Sequence, residues 1–224
     1  MKSFNNVFEP SADEVYTKDH PLKGTWNAKV FLNSDPIILE LGCGKGEYTI
    51  GLAARYPDKN YIGIDIKGAR MWRGSKTAHE NNIGNVAFIR TRIEFINSFF
   101  SEDEVEEIWI TFPDPHPKRN NASKRLTSPA FLNSYRKFLK NKGIIHLKTD
   151  NEDLYTYTSG IVRSNGLEII ESTNDLYSGL IKNEILSTRT HYEKIFLKTG
   201  SNICYLSFRL DKNRVIKDDR GKAK

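Results

Sequence analysis

The sequence predicts an α/β domain with a mainly parallel, seven-stranded β-sheet and helices on both of its faces. Short apolar runs such as Ile37–Leu41 lack the alternation of a half-exposed strand, which is typical of strands buried on both faces. These runs alternate with helix-like segments along the chain, as they do in α/β proteins. The length, 224 residues, suits one domain or one domain with appendages.

The predicted elements follow from these patterns in order. Strands are predicted at Ile37–Leu41, Tyr61–Ile66, Asn85–Arg90, Ile108–Phe112, Gly143–Lys148, Leu167–Ile170 and Asn202–Leu210. Helices are predicted at Glu47–Tyr56, Lys67–Asn82, Ser128–Lys140 and from Asp150 to about Ser164. Pro57 ends the first helix, and Ser128 followed by Pro129 is a typical helix start. The acidic segment Ser101–Glu107 is predicted to be a solvated turn.

The two ends of the chain differ from the central domain, which we expect to span residues 37–210. Residues 1–36 carry three prolines and scattered aromatic residues, and we expect an N-terminal extension there. This extension either packs over the mouth of the binding site or covers an edge of the sheet. Residues 211–224 are expected to form a charged C-terminal tail that is frayed from Lys212 onwards.

Composition limits the classes of function. No apolar run approaches the length of a membrane-spanning helix, and residues 1–10 lack the pattern of an export signal, so we expect a cytoplasmic protein. The two cysteines, Cys43 and Cys204, are expected to be reduced thiols. The five histidines show no ligand spacing, so no metal is expected. The net charge of +6 and the clustering of the basic residues favour a polyanionic partner.

The stretch Ile37–Gly46 predicts a site for a nucleotide-type cofactor. A buried strand runs into three alternate glycines, which permit positive φ and a close approach of backbone N–H groups to a ligand. A phosphate-binding lysine loop is excluded because Gly46 is followed by Glu47, and a dinucleotide fingerprint needs its third glycine one residue later. Glu40 before the loop suits a cationic ligand, and Asp65 after the second strand can accept both hydroxyls of a ribose.

The second informative stretch, Pro113–Pro117, follows the fourth strand. Asp114 lies between two prolines, which restrict the backbone so that the carboxylate is held in place. Four basic residues follow it, namely Lys118, Arg119, Lys124 and Arg125. They form either a solvated basic loop or a rim of phosphate contacts. Their position after an ordered acid at the edge of the sheet favours phosphate contacts, and hence a nucleic-acid substrate.

Two later segments each leave two interpretations open. Asp150 follows the fifth strand, where it caps the next helix, contributes to the site, or does both. The segment Thr190–Glu193 lies before the last strand. It is either ordinary polar surface or a loop that is mobile in the free protein and closes over the substrate.

These motifs, in this order, resemble the bacterial tRNA (guanine-N7-)-methyltransferases, which are class I S-adenosylmethionine-dependent methyltransferases with a Rossmann-like fold. The matching runs are Leu39–Gly46, Pro113–Arg119, Leu147–Asp150 and Thr190–Glu193. The resemblance implies that S-adenosylmethionine is the cofactor and that its site includes Glu40, Gly42, Asp65, Ile66, Ile93 and Asp114. It further implies that Asp114 is the acidic residue of the catalytic site and that tRNA is contacted by Lys118, Asp150, Thr190, His191, Tyr192 and Glu193.

The reaction implied by this resemblance is methyl transfer to N7 of a variable-loop guanosine in tRNA, by a monomer or homodimer with no obligate protein partner. The alternatives are a class I methyltransferase acting on a small molecule or on another RNA, and a non-catalytic RNA-binding module of the same fold. Two residues depart from the family pattern. His116 stands where the family usually has Trp, and Arg92 stands where an Asp or Asn commonly contacts the adenine.

Overall fold

Alternating strands and helices make up the computed structural model, which describes residues 4–179, 184–188 and 190–218. The strands in these residues are β1 (Val7–Phe8), β2 (Ile37–Leu41), β3 (Asn60–Asp65), β4 (Val86–Arg90), β5 (Val105–Thr111), β6 (Leu139–Thr149), β7 (Ile169–Thr173) and β8 (Cys204–Leu210). The α-helices are α1 (Ala12–Thr17), α2 (Glu47–Arg55), α3 (Gly68–Glu80), α4 (Pro129–Tyr135), α5 (Glu152–Ser164) and α6 (His191–Lys198).

The strands form one sheet in the order β1-β4-β3-β2-β5-β6-β8-β7. All neighbours from β1 to β6 are parallel, and β8 is antiparallel to both β6 and β7. The predicted α/β class with a mainly parallel sheet is therefore confirmed. The carboxyl ends of β2, β3, β5 and β6 meet at one edge of this sheet, which is where ligands bind in open α/β sheets.

The sheet has eight strands in the described residues, not seven, because the N-terminal extension contributes β1. Val7 and Phe8 pair in parallel with Phe88 and Ile89 of β4. Further along the extension, Trp26 is fully buried and its indole Nε1 donates to the carbonyl of Phe99 at 2.8 Å. Of the two roles left open for this extension, the structure supports the covering of a sheet edge, since a paired edge strand exposes fewer backbone groups.

Two apolar clusters pack against opposite faces of the sheet. Ile37, Leu39 and Leu41 of β2 belong to the cluster that includes side chains of α4 and α5. Ile38 belongs to the cluster on the other face, which includes side chains of α2, α3 and α6. Successive residues of β2 thus enter different cores, which explains why all five of its residues are buried and why its sequence shows no alternation.

Several predicted segments differ from the structure, among them the strand predicted at Leu167–Ile170, which is β7 at Ile169–Thr173. Val105–Glu107 is not a solvated turn but the start of β5, and the Glu107 carboxylate accepts from Lys59 Nζ at 2.8 Å. The third predicted helix, Ser128–Lys140, corresponds to α4 and ends at Tyr135 rather than Lys140, because Leu139 already begins β6. The tail is not frayed from Lys212, since Ile216 is buried and its N–H donates to Asn133 Oδ1 at 2.9 Å.

Candidate functional site

A cleft of about 990 Å³ lies at the carboxyl edge of the sheet. It brings together eight of the predicted site residues, which come from six separate parts of the chain. These residues are Glu40, Gly42, Asp65, Ile66, Ile93, Asp114, Asp150 and Thr190. Its size lies at the upper end of the range of small-molecule sites, roughly 300–1,000 Å³.

The glycine loop forms the floor of the cleft beyond β2. Gly42, Gly44 and Gly46 all have positive φ, at 76°, 55° and 69°. A Cβ atom on Gly42 or Gly44 would meet open space, whereas one on Gly46 would lie 2.6 Å from the ring of Phe88. The first two glycines therefore leave the backbone accessible to a ligand, and the third allows close packing of the loop against β4.

Glu40 lies beneath this loop and is 4% exposed. Its carboxylate accepts from the Thr49 N–H at 2.8 Å, from the Thr49 hydroxyl, and from the Thr111 hydroxyl at 2.6 Å. Burial raises the pKa of Glu40 to about 7 even though these three donors favour the ionised form. A cationic ligand in the cleft would favour ionisation of this carboxyl.

Asp65 links the glycine loop to the end of β3. One carboxylate oxygen accepts from the Gly44 N–H at 2.9 Å, and the other accepts from the Lys67 N–H at 2.8 Å. A carboxylate oxygen can accept more than one hydrogen bond, so both oxygens retain capacity for a ligand hydroxyl. Next to Asp65, Ile66 is 55% exposed and offers an apolar surface to the cleft.

Asp114 is exposed and lies in the middle of a loop after β5 whose backbone is strained. The residues on either side of Pro113-Asp114-Pro115, namely Phe112 and His116, have positive φ at 49° and 43°. Such left-handed conformations cost roughly 1–2 kcal/mol each for residues other than glycine, so the loop must be held by its surroundings. Two prolines alone would not impose this shape.

Arg125 is one of the groups that hold this loop, and its predicted role as a phosphate contact is wrong. It is 8% exposed, and its guanidinium donates to the carbonyls of Pro115 and His116, each at 3.0 Å. The guanidinium also lies over the ring of Tyr157, 4.2 Å from the centroid. Through these contacts the Arg125 guanidinium holds the Asp114 loop against α5. Lys118, Arg119 and Lys124, in contrast, are exposed, and Lys124 lines the cleft.

Asp150 lines the cleft, and it is not the residue that caps α5. That cap is Asn151, whose Oδ1 accepts from the Leu154 N–H at 2.8 Å. Burial raises the pKa of the Asp150 carboxyl above its usual value. Of the two interpretations of Asp150, the structure thus supports a place in the site without helix capping.

The segment Thr190–Glu193 is not the polar loop of the prediction, because α6 begins at His191. Thr190 is the N-cap, and its Oγ1 accepts from the Glu193 N–H at 3.2 Å while the Glu193 carboxylate accepts from the Thr190 N–H at 3.4 Å. This is a capping box, a signal that Thr-x-x-Glu already carries in the sequence. Thr190 lines the cleft, and the side chains of His191 and Tyr192 lie outside the described part of the structure.

Glu193 points away from the cleft, into a buried charge network that the sequence did not reveal. Lys148 and Glu193 are both fully buried, with 2.8 Å between Nζ and Oε1, and the Tyr177 hydroxyl donates to the same oxygen. Lys148 Nζ also donates to the carbonyls of Leu186 and Thr188, each at 3.2 Å. In this conformation Glu193 has no access to a substrate, so its implied contact with tRNA stays a prediction that requires this network to open.

Neither a metal centre nor a membrane segment is found in the described residues. No group of three or more His, Cys, Asp or Glu side chains is arranged to hold a metal ion. No described helix is long and apolar enough to cross a membrane.

Comparisons with known proteins agree with this geometry. A family model described as a putative methyltransferase matches residues 34–206. A tRNA (guanine-N(7)-)-methyltransferase of Porphyromonas gingivalis is 52% identical over 213 residues, covering 94% of this chain and 86% of that protein. One from Christiangramia forsetii is 49% identical over 210 residues, covering 93% and 94%. Among solved structures, the 16S rRNA methyltransferase KamB has a TM-score of 0.61 at 12% identity, covering 82% and 92%, a likeness of fold alone.

Proposed function

Since the chain belongs to the tRNA (guanine-N7-)-methyltransferase family, we propose that it transfers a methyl group from S-adenosylmethionine to N7 of a variable-loop guanosine in tRNA. The observation that carries this proposal is the cleft itself. It gathers Glu40, Asp65, Asp114 and Asp150 from the ends of four strands beside an open glycine loop.

The cleft fits S-adenosylmethionine by the chemistry of its residues. The Glu40 carboxylate suits a cationic ligand, the Asp65 oxygens can accept ribose hydroxyls, and the exposed Ile66 suits the face of an adenine. Gly42 and Gly44 leave room for close approach of the backbone. When bound, the cofactor supplies an electrophilic methyl group on a positively charged sulfur.

Asp114 and Asp150 are assigned to the guanine. Its N7 carries a free lone pair, so no proton need leave before attack, and catalysis can rest mainly on alignment of the reacting atoms. Both carboxylates can accept hydrogen bonds from the N1–H and amino groups of guanine. Their negative charge also offsets the positive charge that the base acquires on methylation.

The exposed cations after Asp114 are assigned to the RNA backbone. Lys118, Arg119 and Lys124 lie on or beside the 3₁₀ segment at Arg119–Lys124, and Lys124 lines the cleft. Such contacts fix the position of a nucleic acid without reading its sequence. They would hold the strand while the target base leaves its stacked position.

The decisive experiment is methylation of unmodified tRNA with labelled S-adenosylmethionine, followed by borohydride and aniline cleavage to locate 7-methylguanosine. We expect cleavage at one guanosine in the variable loop. A matched tRNA with 7-deazaguanosine there lacks the nucleophilic nitrogen and should take up no label at that position. Cleavage of no tRNA would refute the proposal. Label transfer to small molecules alone would favour the small-molecule alternative.

The assignment of Asp65 is tested by cofactor binding, which also excludes a non-catalytic RNA-binding module. Asp65→Ala should weaken S-adenosylmethionine binding by roughly 1.5–3 kcal/mol in calorimetry, the range for hydrogen bonds to a charged group. Asp58→Ala, at an exposed turn before the same strand, is the matched control and should bind normally. Equal affinity in the two variants would contradict the assignment, and absence of binding in the unmodified protein would favour the module.

A further inference from the structure

A group of exposed cations lies on the side of the cleft opposite Lys118 and Lys124. It consists of Lys45, Lys67, Arg70 and Arg73, and we call it the α3 basic surface. Lys45, Lys67 and Arg70 line the cleft. Arg73 follows Arg70 by three residues on α3, a spacing that makes the two side chains neighbours on the helix surface.

The charges of this surface are not neutralised within the described chain. None of the four cations forms an ion pair with a described acid, although the exposed acid Glu47 also lines the cleft. Some exposed cations elsewhere are paired, such as Arg90 with Glu9 at 3.4 Å and Lys140 with Glu106 at 2.8 Å.

The position of these cations on α3 is also unfavourable for the helix. Lys67 is the N-cap, Arg70 lies in the first turn, and this turn contains no acid. The amino end of a helix carries partial positive charge, so cations there are repelled while anions are stabilised. Neighbouring like charges such as Arg70 and Arg73 add to this cost. An external polyanion would relieve both effects.

The two basic groups flank the centre of the site. In the sheet order, β2 lies between β3, which leads into α3, and β5, which leads into Arg119–Lys124. The acids Asp65 and Asp114 lie between the two groups, in the cleft. The two acids repel a polyanion at the centre of the cleft, while the cations on either side attract it. This distribution of charge fits a nucleic-acid strand that crosses the cleft with its phosphates on both sides.

We propose that the α3 basic surface binds backbone phosphates of the tRNA, so that the RNA is held on both sides of the cleft during methylation. The inference rests on the proposed function for the identity of the polyanion. Lys45 and Lys67 directly follow Gly44 and Ile66 of the cofactor site, whereas Arg70 and Arg73 lie further along α3, so these two arginines are the positions to substitute.

The test is the salt dependence of tRNA binding by an Arg70→Gln/Arg73→Gln variant, measured by filter binding at several KCl concentrations. Each lost phosphate contact should reduce the slope of log K against log[salt] by roughly 0.7–0.9, so the double variant should lose about 1.4–1.8. If the two lines meet at 1 M salt, affinity at 0.1 M falls roughly 25- to 60-fold. Affinity for S-adenosylmethionine, measured by calorimetry, should stay within about twofold.

The control is Lys137→Gln/Arg163→Gln, which removes the same net charge from exposed positions at the opposite edge of the sheet. Its slope should match that of the unmodified protein. Equal slopes in both double variants, or a loss of cofactor affinity with no change of slope at Arg70 and Arg73, would overturn the inference. If the unmodified protein forms 7-methylguanosine but the Arg70→Gln/Arg73→Gln variant keeps its salt slope, this inference alone fails. If the unmodified protein binds tRNA without methylating it, the proposed function fails instead.

Discussion

The buried ion pair between Lys148 and Glu193 leads to a sharp prediction about stability. Both side chains are fully buried, and the Glu193 carboxylate is close to no other described cation. Lys148→Met would leave this carboxylate without its counter-charge, which typically costs about 4 kcal/mol. It would also deprive the carbonyls of Leu186 and Thr188 of a donor. Because a domain is stable by only about 5–15 kcal/mol, this loss should be obvious in urea denaturation.

A double variant separates the lost charge from a general packing defect. Lys148→Met/Glu193→Leu removes both charges, and replacing a buried pair by apolar side chains is often close to neutral. We therefore expect it to recover most of the stability, with a coupling energy of about 2 kcal/mol or more in the double-mutant cycle. The control is Lys59→Met. Lys59 forms an ion pair with Glu107 in which the two side chains are 26% and 12% exposed, so its loss should lower the stability by only about 1 kcal/mol.

Two outcomes would refute this reasoning. One is unfolding of Lys148→Met at the same urea concentration as the unmodified protein, and the other is unfolding of the double variant at the same concentration as the single one. Activity of the double variant answers a further question. If Glu193 contacts tRNA, as the resemblance implies, a stable double variant should still bind S-adenosylmethionine but lose methylation of tRNA.

Three further predictions concern the cleft. Since the pKa of Glu40 is raised to about 7, the carboxyl becomes charged as the pH rises through 7. The affinity for S-adenosylmethionine, measured by calorimetry from about pH 6 to 8, should therefore rise by up to about tenfold per pH unit below 7 and then level off. An affinity that does not change with pH would contradict this. Arg125→Ala should lower kcat on the order of 100-fold by releasing the loop that holds Asp114, the proposed catalytic residue, without changing the salt slope of tRNA binding. Lys124→Ala should instead reduce that slope by roughly 0.7–0.9, and equal effects of the two substitutions would be inconsistent with the separate roles. Gly46→Ala combines a positive φ with a clash against the Phe88 ring and should lower the free energy of unfolding, measured by urea denaturation, by roughly 2–4 kcal/mol. Gly42→Ala has only the conformational cost of about 1–2 kcal/mol, so equal losses of stability would argue against the clash.

Arg125 shows why charge alone could not reveal a role from sequence. It belongs to the same basic run as Lys118 and Lys124, and nothing in the run itself distinguishes it. Its burial depends on Tyr157, more than thirty residues later, and on a loop shape that only the folded chain provides. The same is true of β1, the strand that was not predicted. Its residue Val7 pairs with Phe88, which is far away in the sequence, and this pairing has no local signal.

The sequence by itself determined the order of strands β2 to β8 and of helices α2 to α5, the glycine loop, and the arrival of Glu40, Asp65 and Asp114 at one edge of the sheet. These features depend on local patterns of apolar residues and glycines, and on the general rule that parallel strands place their carboxyl ends together. Only the tertiary structure decided the environment of the charged groups. Whether Lys148 and Glu193 face water, a ligand or each other depends on partners 45 residues apart in the chain, and the energy of a charge is set by what surrounds it after folding.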